Sequence, residues 1–226
     1  TAKAQNYLNT NPDVMAWIKS AEGKAYVNAH PEFDVNDIAY THFKRYGEGE
    51  GRKWEAPAAV TTVVGGTGID ALTHAIESLT SKGRTPVSAA YAHEAIKLIS
   101  KALPIAVKEG TNVDARGDML MGAHLAGLAL TLSGLGLVHG IAHSVSAHVG
   151  AAHGEALATV LPEVMEFNSR EVSDIYATVG NDMGVSANSA TAIDAVRDLS
   201  ESINIRNSLS HYGVKQEMIG EIAKTV

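Results

Sequence analysis

Apolar positions recur at three- and four-residue intervals along most of the chain, the mark of helices that each bury one face. The pattern predicts helices over residues 70–81, 86–103, 113–132, 137–148, 153–168, 172–180, 190–202 and 215–224. Turn signals separate them at Lys82-Gly83, Gly110-Thr111, Ser133-Gly134 and Met183-Gly184. No comparable series of alternating, β-branched segments occurs, so strands are not expected. The predicted fold class is all-α, a helical bundle.

The first quarter reads differently. It is polar, aromatic and turn-rich, and it carries both tryptophans, Trp17 and Trp54. Asn11-Pro12-Asp13 predicts a helix start, because Asn caps and Pro is tolerated in a first turn. Val14, Trp17 and Ile18 follow at helical spacing. A second helix is predicted from Val35 or Asp37 to Tyr46, closed by Gly47-Glu48-Gly49-Glu50-Gly51. The compositional shift at Glu55-Ala56-Pro57 divides the chain into a small helical module, 1–55, and a larger helical domain, 56–226. Tyr7-Leu8, Asn11-Pro12-Asp13-Val14, His42-Phe43, Tyr46-Gly47 and Glu50-Gly51-Arg52 together resemble a short module of secreted or surface-associated bacterial proteins. Chemically, the segment reads as a packing module.

Composition narrows the function classes. With 226 residues, 45% hydrophobic and 19% charged, the chain can bury a sizeable core. A formal charge of −7 without basic tracts argues against nucleic acid as a partner. There are no cysteines, so disulfides, thiolate metal sites and cysteine nucleophiles are excluded. Any metal must rest on imidazole and carboxylate. No membrane span is expected, since Gly, His and Ser interrupt the most apolar stretch, 125–149. The chain opens on Thr1 without an apolar leader and reads as a trimmed or processed product.

Candidate chemistry centres on histidine. Of ten histidines, four fall between His139 and His153. Asp70 and His74 share a helix face one turn apart, and His139 and His143 repeat that spacing. His153 follows Gly150, where a turn can redirect the chain. Two helical pairs and one further histidine can converge on an ion such as Fe(II) or Zn(II). The same spacings equally suit buried, hydrogen-bonded histidines and a polar helix start, so the residues alone leave both readings open.

Three longer motifs carry a family resemblance. Gly68-Ile69-Asp70-Ala71-Leu72-Thr73-His74-Ala75-Ile76-Glu77 resembles the first metal motif of the iron-containing alcohol dehydrogenases. Gly134-Leu135-Gly136-Leu137-Val138-His139-Gly140-Ile141-Ala142-His143 resembles the second. His153-Gly154 and Leu161-Pro162-Glu163-Val164-Met165-Glu166-Phe167-Asn168 resemble the third motif and the helix after it. The resemblance covers about three-quarters of the chain, in the family's order. It implies the C-terminal metal-binding helical domain, with Asp70, His74, His139 and His153 as ligands to Fe(II), or to Zn(II). It also implies a Lewis-acid role for the ion and places His143 beside substrate and nicotinamide as a proton relay. His148 has no counterpart and reads as a surface residue; His93 and His124 read as packing residues. Gly134 and Gly136 would let the backbone pass close to substrate or cofactor, or simply break a helix.

The family's N-terminal nucleotide-binding domain has no place in residues 1–57, which lack strand–glycine–helix signatures. Gly65-Gly66-Thr67-Gly68 follows no strand and is not expected to hold phosphate. NAD(P) is therefore not expected to bind this chain alone. The C-terminus at Val226 is short for the family, Ala152 stands where proline is usual, and Glu155-Ala156-Leu157-Ala158 departs from the usual run. Three functions follow as expectations. They are a metal-binding domain without autonomous dehydrogenase activity, an alcohol or aldehyde oxidoreductase completed by a nucleotide-binding domain elsewhere, and a structural protein with an empty site. A homo-oligomer or partner chain is expected to cover the apolar face left by the missing domain. The family resemblance implies a cytoplasmic location, whereas the N-terminal module implies the cell surface or secretion.

Overall fold

The computed structural model describes residues 2–29, 35–47, 49, 52, 58–205 and 208–226. Every regular element among them is helical, and they contain no strand. The chain divides into two compact units, Thr1–Thr61 and Thr62–Val226. The expected junction at 55–57, with Trp54, lies outside the described residues.

The first unit contains α1 (Ala2–Thr10), α2 (Pro12–Lys19), α3 (Ala21–Ala29), α4 (Val35–His42) and a π-helical turn, Phe43–Gly47. Ala4, Tyr7, Leu8, Val14 and Ala39 form its core, with Met15, Ile18 and Phe43 packed against them. Pro12 opens α2 as expected, but Asn11 does not cap it. Its amide instead donates to the Tyr7 carbonyl at 2.8 Å, at the end of α1, and its Oδ1 accepts from Arg52. Arg52 also pairs with Asp13 at 2.9 Å, which ties the chain after the π turn to the start of α2.

The second unit is built around α5 (Ala58–Thr80). Ile69, Leu72, Ala75, Ile76 and Leu79 are buried along it, so its later turns are enclosed on nearly every side. Around it lie α6 (Pro86–Lys108), α7 (Val113–Ser133), α8 (Leu137–Val149), α9 (His153–Asp182) and α10 (Ser189–Ser202). The chain closes with two 3₁₀ turns, Leu209–Tyr212 and Gln216–Met218, and α11 (Ile219–Ile222). One continuous apolar cluster joins all six long helices. Side-chain caps fix three helix starts: Thr85 with Ser88 as a capping box on α6, Asn112 on α7 and Asn188 on α10.

Several boundaries differ from expectation, among them the end of α6, which runs to Lys108 rather than 103. α5 begins at Ala58, twelve residues before the motif's Asp70, so Gly65-Gly66-Thr67-Gly68 lies within the helix. The two helices expected over 153–180 form one, α9, bent where Val172 leaves helical geometry at φ −129°. The helix expected over 215–224 is broken into a 3₁₀ turn and one short α turn. Ile69 and Leu72 on α5, and Tyr176 and Val179 on α9 beyond its bend, are buried, so packing outweighs local propensity in those two helices. α7 and α8 meet at 104° across a short break, which turns the start of α8 toward α5. No single helix among the described residues is long and apolar enough to cross a membrane.

Candidate metal centre

α5 supplies Asp70, His74 and Glu77 at positions i, i+4 and i+7, a single stripe along the helix. α8 supplies His139 and His143 one turn apart. α8 ends at Gly150 in the left-handed region (φ 70°), and α9 opens on His153 as its first residue. The approach of α9 to α5 depends on glycine: a Cβ on Gly154 would lie 2.2 Å from the Gly66 carbonyl oxygen. Gly66 lies one turn before Asp70 and Gly154 adjoins His153, so this contact brings the Asp70 carboxylate and the His153 imidazole together.

The side chains converge on one oxygen. Asp70 Oδ1 lies 3.2 Å from His74 Nε2, 3.5 Å from His139 Nε2 and 3.9 Å from His153 Nε2. Ligands held about 2.1 Å from a common ion stand roughly 3.0–3.5 Å apart, so the His74 and His139 separations suit a shared metal and His153, at 3.9 Å, stands a few tenths of an ångström beyond that range. Asp70, His139 and His153 each offer an atom within 4.8 Å of the others. His74 stands beside that trio, its ring stacked on His139 at 4.7 Å. Asp70 Oδ1 and His139 Nε2 are buried without a hydrogen-bond partner, a costly arrangement that a cation between them would relieve.

Charge in the site follows from this packing. Burial opposes ionisation of Asp70, but the His139, His74 and His153 imidazoles outweigh it and hold the carboxyl below its ordinary value. Burial dominates at His74 and His153 and lowers both, favouring the neutral, ligating form. At His139 burial is outweighed by the Asp70 and Glu77 carboxylates, which push the imidazole up to about 9 when no metal is bound. The site opens to one side: His139 is 2% exposed, but His153 is 37% exposed. His143 lies on that open side, exposed and stacked on His153 at 5.1 Å.

Glu77 escaped the sequence reading, although its motif was recognised. It is buried, and its carboxylate accepts from the Gly136 N–H (3.0 Å), the Val138 N–H (2.7 Å) and His139 Nδ1 (2.6 Å). Its seven-residue offset from Asp70 was a usable signal. The glycines of the second motif also acquire definite roles. Gly134 ends α7 at φ 82°, and a Cβ on Gly136 would come within 2.6 Å of Glu77 Oε1. Neither role requires a ligand.

His93 and His124 are not core residues. His93 Nδ1 meets Asp182 at 2.5 Å, which joins α6 to the end of α9, and His124 is exposed. Helical spacing alone could not distinguish these placements from burial. His148 is exposed as expected, with its Nδ1 2.8 Å from the Ser144 carbonyl.

Comparison with known proteins adds an independent line. Residues 64–226 match the family described as Fe-containing alcohol dehydrogenase family, C-terminal. A probable alcohol dehydrogenase, EutG, of Escherichia coli (strain K12) is 35% identical over 217 residues, covering 94% of this chain and 51% of that protein. A 1,3-propanediol dehydrogenase of Klebsiella pneumoniae is 37% identical over 167 residues, covering 71% of this chain and 42% of its own length. Among solved structures, a 1,3-propanediol oxidoreductase superposes with TM-score 0.70 at 37% identity, covering 75% of this chain and 45% of that one. The alcohol dehydrogenase from Oenococcus oeni gives TM-score 0.70 at 32% identity, covering 73% and 45%. This chain thus spans about half the length of the relatives it matches. The likeness of residues 1–55 to a secreted module receives no support from these matches.

Proposed function

The chain belongs to the Fe-containing alcohol dehydrogenase family through residues 64–226, and on that footing we propose that its helical domain binds one divalent transition metal. Asp70, His74, His139 and His153 would hold it. The observation that carries this reading is the convergence of three Nε2 atoms on Asp70 Oδ1, with two of the atoms involved buried and unpartnered. Three imidazoles and a carboxylate suit Fe(II) and accept Zn(II). When bound, the ion supplies Lewis-acid polarisation of an alcohol or carbonyl oxygen.

The chain's own residues divide the remaining work. His139 anchors the site from within the core, and His153 and His74 close it from two helices. His143 stands on the solvent side, where its imidazole can carry a proton between a hydroxyl at the metal site and water. No described residue builds a parallel α/β nucleotide site. These residues therefore supply the metal half of an oxidoreductase and need a nicotinamide presented from elsewhere to transfer hydride.

A second reading is an alcohol or aldehyde oxidoreductase completed by a nucleotide-binding domain in another chain or segment. Two observations favour it. Relatives of about twice this length are named as alcohol and 1,3-propanediol dehydrogenases. α7 also leaves Leu120, Met121, Leu128 and Leu132 exposed along one side, an apolar row suited to cover by further protein.

Metal analysis and nucleotide titration test the proposal. Purified protein should retain transition metal, and added Fe(II) or Zn(II) should raise the melting temperature. Retention below about a tenth of an equivalent, with no thermal shift, would leave the metal reading without support. Saturable binding of NAD(H) or NADP(H) by the chain alone would overturn the division of labour. His139→Ala should lose the metal, whereas His143→Ala should keep it.

A further inference from the structure

We propose that Glu77 is the positioning residue of this centre: its carboxylate holds the proton of His139 on Nδ1, presents Nε2 as the ligand, and fixes the start of α8 at the same time. The inference rests on the metal reading above and extends it to a residue outside the ligand set.

A buried carboxylate needs a reason. Glu77 is 4% exposed, and isolating a charge in a helical core is costly unless donors surround it. Three donors do so. Oε2 accepts from His139 Nδ1 and the Gly136 N–H, and Oε1 accepts from the Val138 N–H. Gly136 is the residue before α8 and has no side chain to cap it, so Glu77 satisfies N–H groups that would otherwise be orphaned. The cap comes from 59 residues away in sequence.

Capping alone would require only the two backbone contacts. The third contact governs the ring. When an ion displaces the second proton of the His139 imidazolium, the neutral ring keeps one N–H and one lone pair, and a proton held on Nδ1 by Glu77 makes Nε2 the nitrogen that gives up its proton to the metal. Nε2 is the atom that lies buried and unpartnered, 3.5 Å from Asp70 Oδ1. Among the described residues, neither His74 nor His153 has a carboxylate on Nδ1, and both are more exposed than His139. His139 is thus the ligand whose ring is oriented before any ion arrives, and Glu77 is what orients it.

Glu77→Gln separates this role from a merely structural one. The amide keeps the shape but sets an NH₂ among three donors. Turned toward the ring, that NH₂ needs an acceptor at Nδ1, which moves the imidazole proton to Nε2 and blocks the ligand position. The experiment uses the full chain with Zn(II) as a diamagnetic probe. Affinity is read by competition with a chromophoric chelator, and the His139 tautomer by ¹⁵N NMR of histidine-labelled protein. Zn(II)-loaded wild type should show Nδ1 protonated and Nε2 on the metal. Glu77→Gln, folded by circular dichroism, should bind Zn(II) about 10–100-fold more weakly.

A Glu77→Gln protein that melts earlier but binds Zn(II) with wild-type affinity would overturn the positioning role and leave the metal reading intact. If Glu77→Gln does not fold, the wild-type spectrum decides: ligation through Nδ1, or an Nδ1 without its proton, also overturns it. Wild type that binds no Zn(II) at all would remove the metal reading and this inference together.

Discussion

At single residues, the structure separates glycines that the sequence presents alike. Gly134 and Gly136 stand two apart in one motif, yet different forces require them. Gly134 sits at φ 82° and ψ 174° with nothing near its Cβ position, so Gly134→Ala should cost about 1–3 kcal/mol through backbone strain alone. Gly136 has an extended backbone that any residue adopts, but its Cβ would press on Glu77 Oε1 at 2.6 Å. Gly136→Ala should cost a similar amount, about 1–3 kcal/mol, by overpacking. Zn(II) titration tells the two apart. Gly134→Ala should keep wild-type affinity, whereas Gly136→Ala should weaken it about tenfold by displacing the carboxylate that orients His139. Asp70 with His74, and His139 with His143, were legible as helical pairs because a one-turn spacing fixes a shared face. The Glu77–His139 contact was not, because it joins residues 62 apart across two helices. Only the approach of α5 to α8 reveals it.

Among elements, the informative contact is that between α5 and the start of α9. Gly66 and Gly154 touch backbone to backbone, and the resulting approach sets the distance from Asp70 to His153. Gly154→Ala must push the two helices apart. It should lower stability by about 1–3 kcal/mol in chemical denaturation and weaken Zn(II) binding in parallel. Leu72→Ala provides the contrast. Leu72 is fully buried in α5, and its truncation should cost about 2–5 kcal/mol, with Zn(II) affinity of the folded fraction retained. Helix existence was legible over most of residues 70–202, since apolar periodicity there reflects burial against neighbours. The ends were less so. The early start of α5 runs through β-branched residues and glycines that isolated propensity disfavours, and the tertiary cluster holding Ile69 and Leu72 outweighs that preference. The joined α9 shows the converse, since the expected break survives only as a bend at Val172.

For the whole molecule, the all-α class was readable because no segment alternates at the period of a strand, and the long helices share one apolar cluster. The N-terminal unit was read less fully: α1 and α3 were not expected, and Asn11 serves the preceding helix rather than its own. A polar segment with a small core carries little periodic signal, so its pairings emerge only in three dimensions. The division into two compact units also shapes the response to metal. All four proposed ligands lie within Thr62–Val226, so an ion stabilises that unit by linkage and leaves the other without direct benefit. At free Zn(II) about 100 times Kd, the gain is about 2.7 kcal/mol. For a unit of this size each kcal/mol raises the midpoint by about 2–4 °C, which gives a shift of about 5–11 °C. Calorimetry should therefore show one transition that moves with Zn(II) and returns with chelator, while any transition of the first unit stays in place. A uniform shift of all unfolding signal would mean that the two units melt together, and no shift in either would argue against a metal centre on Asp70, His74, His139 and His153.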